Sequence, residues 1–126
     1  MSDSRYIDGI QVSIDMFTPV VERHVAALED EYQRKKPSTV FIQRTRAALR
    51  AFAEVVGHMK LKRDQAAGQS VTSRYTLFKE YKHGMEMADK LLDAEPSTPE
   101  EEQRLMDEIE AADRRSDAAV VKFALQ

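Results

Sequence analysis

Apolar positions recur at steps of three and four along four stretches of this chain. In the first, Ile7, Ile10, Ile14, Phe17, Val21, Val25, Leu28 and Tyr32 line up. Wound at about 100° per residue, they stay within roughly 40° of one line. The register passes Pro19 unchanged, which predicts one long helix from Ser4 to Lys36, kinked at Pro19. Two other forms fit these residues less economically. The helix can stop and restart with Thr18 as N-cap and Pro19 at the first position. Ile10, Val12, Ile14 and Met16 can also alternate as a short strand, but nothing nearby supplies a strand partner. Ser2, Asp3 or Ser4 can cap the start. Lys35-Lys36-Pro37 closes the helix, because cations suit a C-terminus and proline disfavours helical geometry before it.

A second helix follows, capped by Ser38 or Thr39 and covering 39–67. Its seam is Ile42, Thr45, Leu49, Phe52, Val56 and Met59, widened by Phe41, Ala48 and Val55, with Gly68 as the stop. The third begins between Ser70 and Ser73. Its seam is Val71, Tyr75, Phe78, Met85 and Leu92, flanked by Tyr81 and Ala88, and Gly84 inside it suits a close helix approach. Residues 93–99 read as a loop. It ends in the strongest start signal of the chain: Thr98 as N-cap, Pro99 first, then Glu100, Glu101 and Glu102, with Glu101 in capping-box position. The fourth helix runs to about Ala124 with Leu105, Ile109, Ala112, Ala119, Val120 and Phe123 inward and Ser116 interrupting. Four helices joined by short loops predict an all-α, antiparallel up-down four-helix bundle filling one domain, 1–126.

Composition narrows the chemistry. The 126 residues include no cysteine, which removes disulfides, thiolate metal sites and cysteine nucleophiles. No run approaches the ~20 apolar residues that span a bilayer, and the first residues lack a secretory pattern. The expectation is a cytoplasmic protein with no membrane contact. A net charge of −3 gives no whole-molecule pull toward nucleic acid.

Charge is nonetheless sorted by segment. From Arg34 to Arg63 the bases are Arg34, Lys35, Lys36, Arg44, Arg46, Arg50, Lys60, Lys62 and Arg63, opposed by Glu54 alone. From Glu95 to Asp117 nine acids stand against three arginines. Either the two helices are neighbours whose charges meet, or these are solvated faces, or the basic stretch binds an acidic partner or nucleic acid. Arg46 and Arg50, one turn apart on an exposed face, are the candidate charged contact. No helix-turn-helix, zinc module or aromatic–arginine platform accompanies them.

The first helix also carries a second apolar face. Val12, Met16 and Val20 lie about 100–180° from its main seam. Such a face is covered either by more of the same domain or by a partner, including a second copy of the chain.

Three acid–histidine pairs invite a metal test: Glu22 with His24, Glu54 with His58, and Glu80 with His83. Inward ligands are required, yet the last two pairs project roughly 120–160° from their seams. No phosphate loop, nucleophile elbow or His-Glu-x-x-His is present. The expectation is therefore no enzyme and no cofactor, but a protein–protein interaction module of bacterial or phage type, an adaptor, chaperone-like factor, inhibitor or immunity-type regulator. Its contact residues would be Val12, Met16, Val20, Arg46 and Arg50, and a homodimer is among the partners considered. A nucleic-acid regulator using helix 39–67 is the second expectation, and a metal-binding bundle the remote third.

Overall fold

A computed structural model describes residues 4–126. It contains α1 (Ser4–Tyr32), α2 (Thr39–Ala66), α3 (Thr72–Leu92) and α4 (Pro99–Leu125). Caps at Ser2 or Asp3 lie outside the described residues, and Ser4 is already helical.

Helix α1 runs through Pro19 without interruption, so neither the restart at Thr18 nor the strand occurs. Thr18 Oγ1 donates to the Ile14 carbonyl at 2.7 Å, a bond made inside a continuing helix and not at an N-cap. The helix stops four residues before Lys36, because the buried Glu31 carboxylate reaches past its end. It accepts from the Ser38 backbone N–H at 3.1 Å and pins the six-residue loop to α2. Ser38 in turn caps α2, its Oγ accepting from Phe41 N–H at 3.2 Å. Gly68, at φ +74°, turns the chain out of α2 in the left-handed region that glycine enters at little cost. Thr98 caps α4 as the sequence predicts, accepting from Glu101 N–H at 3.1 Å. The return leg of the box shifts by one residue: Glu101 accepts from the N–H and hydroxyl of Ser97, not from Thr98.

The four helices form an antiparallel up-down bundle built from two hairpins. Helix α1 packs along α2, and α3 packs along α4. The hairpins join through α2 and α4, which run parallel, as alternation requires. Helix α1 touches α4 only lightly. The core is Ile14, Val21 and Leu28 from α1, Leu49, Ala53 and Val56 from α2, Tyr81 from α3, and Ala119, Val120 and Ala124 from α4.

Small residues set how closely the helices approach. A Cβ added at Gly84 would lie 2.8 Å from Ser116 Cβ and 3.1 Å from its Cα. Ser116 is fully buried, and its hydroxyl donates to the Tyr81 carbonyl at 3.0 Å. The interruption in the α4 seam is thus a point of close α3–α4 approach. Its buried hydroxyl is tolerated because it is bonded. Gly57 plays the same part between α2 and α4, where a Cβ would overlap the ring of the fully buried Phe123.

Candidate partner-binding surfaces

The sorted charges meet inside the molecule. Arg46 Nε donates to Asp117 at 2.6 Å, and Arg50 Nε donates to the other oxygen of the same carboxylate at 2.7 Å. Asp113 stands 3.5 Å from both guanidinium groups. Residues four apart on α2 thereby grip residues four apart on α4. Burial alone would lower the Arg46 pKa, but the hydrogen bond and charge of Asp117 outweigh it and hold the pKa above the usual arginine value. The expectation that Arg46 and Arg50 share an exposed face is corrected here. Their side chains retain 19 and 23 % of their exposure, and both are engaged in the α2–α4 seam.

The rest of the basic stretch is divided. Arg34 sits 3.8 Å from Glu31. Arg63 and Arg74 converge on the buried Asp64 at 3.0 and 2.6 Å. Burial pushes the Asp64 carboxyl up, yet the hydrogen bonds from Arg74 and Arg63 hold it below the usual carboxylate range. Arg63 also donates to Gln11 at 2.8 Å, and Arg74 to the Gln126 carbonyl at 3.0 Å. This knot ties α1, α2, α3 and the chain end together. Lys60 beside it is held below its usual pKa, first by burial and then by Arg74 and Arg63. On α2 the exposed cations are Arg44 and Lys62, about 27 Å apart along the axis.

Two of the three histidines pack against aromatic rings, and His83 is exposed. His24 lies tilted against Phe52, ring centroids 5.5 Å apart, and contacts the Val20 carbonyl at 2.6 Å. His58 packs edge-on against Phe78 and Phe123, with ring centroids 4.8 and 5.2 Å away. Among the described residues no group of three or more metal-ligating side chains comes together. No described helix is long and apolar enough to cross a membrane.

Tyr81, expected at the margin of the α3 seam, is buried in the core. Its hydroxyl pKa is pushed up to about 12 by burial and by the neighbouring Glu54 carboxylate. Neither Gly57 nor Asp64 stood out in the sequence. Asp64 had one available signal, a lone acid directly after Lys60, Lys62 and Arg63.

Among the described residues several large apolar side chains remain uncovered, Val40, Leu92 and Met106 included, and α1 borders two such surfaces. The first is the outer face of α1, where Val12 is 59 % and Met16 66 % exposed. Val20, grouped with them from the sequence, is half-buried on the side toward His24. The second is a groove of about 500 Å³ where α1 and α4 diverge. Val25, Leu28, Leu49 and Val121 floor it, Glu29 lies on its α1 side, and Arg114 and Lys122 lie on its α4 side. Arg114 closes one end by stacking over the Tyr32 ring at 5.5 Å. The chain matches no protein-family model, no curated protein and no solved structure.

Proposed function

We propose that this chain works without catalysis, as a small protein-binding module that engages its partner stoichiometrically through the outer face of α1. In this account it is an adaptor, chaperone-like factor, inhibitor or immunity-type regulator of bacterial or phage type. The observation that carries the proposal is the pair Val12 and Met16, one turn apart and both more than half exposed. A single exposed apolar side chain is ordinary. Here Gly9, Val12, Met16 and Pro19 lie exposed on one side of the helix, and the charges on that side, Arg5 and Asp8 before the stretch and Arg23 after it, stand at its two ends. Water gains nothing from that pattern, whereas a partner's apolar face does.

The double substitution Val12→Asp/Met16→Asp tests this proposal. Both side chains point away from α2, so helicity by circular dichroism stays unchanged. Asp costs no more than about 0.7 kcal/mol of helix propensity at each site, and the melting temperature falls only slightly. Binding of the partner, followed by co-purification at physiological salt, is lost. Unfolding would mean that the face is core, and unaltered binding would place the contact elsewhere.

A further inference from the structure

We propose that the α1–α4 groove is an interface between two copies of this chain. The groove is bounded by two opposite rows of charge. Along α1, Asp8, Asp15, Glu22 and Glu29 recur every seven residues, and all four are exposed. A seven-residue step drifts only about 20° per repeat on a straight helix, so the acids form one line, which ends at the groove with Glu29. On α4 the exposed residues from 111 to 125 are Ala111, Arg114, Arg115, Ala118, Lys122 and Leu125, and none is acidic. Arg114 and Lys122 border the same groove, and the one acid on its α4 side, Asp117, is already bound by Arg46 and Arg50.

Within one molecule these rows do not meet. Among the described residues Glu22, Glu29 and Lys122 make no ion pair, and Arg114 pairs with Glu110 of its own helix at 2.6 Å. A two-fold axis resolves both features. An isologous interface sets each surface against its own copy, so a contact made once is made twice. The acidic row of each α1 then faces the basic row of the other α4, and the two apolar floors cover each other. An unrelated partner would need an apolar ridge with a basic flank and an acidic flank in matching order. A second copy carries that arrangement by construction. Met16 stands roughly 100° and Val12 roughly 60° around α1 from Asp15, and both lie at least two turns before Val25, where the groove begins. The dimer leaves them free and presents the outer face twice.

Sedimentation equilibrium on the full chain reads this out. The wild-type mass rises with concentration toward twice 14.4 kDa, and added salt weakens the association, because the rim charges are exposed. Glu22→Lys/Glu29→Lys weakens dimerisation on the order of 100-fold, and so does Arg114→Glu/Lys122→Glu, since each sets like charges opposite one another. An equimolar mixture of the two variants recovers dimers, with every rim pair again of opposite sign. All four positions are exposed, and circular dichroism confirms that both variants fold. Val12→Asp/Met16→Asp leaves the mass unchanged, which separates this interface from the outer face. The proposal is overturned by a wild type that stays monomeric, by charge-reversed variants that dimerise like wild type, or by a mixture that stays monomeric.

Discussion

Gly57→Ala lowers stability by about 2 kcal/mol, whereas Gly9→Ala raises it by about 1 kcal/mol. Both glycines sit inside helices, and alanine is favoured in a helix interior by about 1 kcal/mol at either place. Around Gly9 nothing lies within 4 Å of an added Cβ, so the propensity gain stands alone. At Gly57 the new carbon lands on the ring of Phe123, which is fully buried and is held edge-on by His58 and tilted against Phe78. Overpacking of this kind costs up to about 3 kcal/mol, and the helix gain offsets only a third of it. Removing the ring reverses the sign. Phe123→Ala itself costs about 3–5 kcal/mol, but Gly57→Ala in that background becomes stabilising. Urea unfolding of the four proteins measures the cycle. Equal stabilisation by alanine at Gly9 and Gly57 in the wild-type chain would contradict the α2–α4 packing described above.

Asp117→Ala costs about 2 kcal/mol, several times more than Asp113→Ala. Asp117 receives the two short bonds, at 2.6 and 2.7 Å, while Asp113 stands 3.5 Å from each arginine. Removing one member of a fully buried pair costs about 3–5 kcal/mol. These side chains keep 16 to 28 % of their exposure, and Asp113 remains as a second anion, so solvent and the remaining acid reduce the penalty. Replacing Arg46 and Arg50 by methionine together with Asp113→Ala and Asp117→Ala recovers most of the loss, because no charge is then left unpaired in the seam. Melting curves resolve the difference between the two acids, at roughly 4 °C per kcal/mol for a chain of this size. Equal and negligible losses from both would place the arginines outside the seam.

The helices were legible in the sequence because each writes its own apolar stripe at a period of 3.6. The α1 register across Pro19 and the Thr98 cap of α4 are local facts, and local pattern recovered them. Neighbour relations are not local. They were reachable only through charge: a basic α2 and an acidic α4 implied adjacency, and Arg46, Arg50, Asp113 and Asp117 realise it. The same relation changes the standing of the candidate residues. Arg46 and Arg50 looked free on a helical wheel because a wheel does not show which helix lies alongside. Val12 and Met16 kept their exposure because α1 has one main neighbour. Gly57 was invisible for a further reason. A glycine that makes room for a ring 66 positions away differs in no local respect from one that is merely tolerated. The α1–α4 groove is likewise a property of two diverging helices, although its acidic and basic rows were both present in the sequence.

The functional account rests on the outer face of α1, and site-specific photocrosslinking tests it most directly. A photoreactive amino acid is placed at position 16 and, as a control, at the exposed Asp89 of α3, in cells that make the chain naturally. The account predicts one discrete crosslinked partner from position 16, absent when Val12→Asp is introduced, and none from position 89. No adduct from position 16, or the same adducts from both positions, would contradict it.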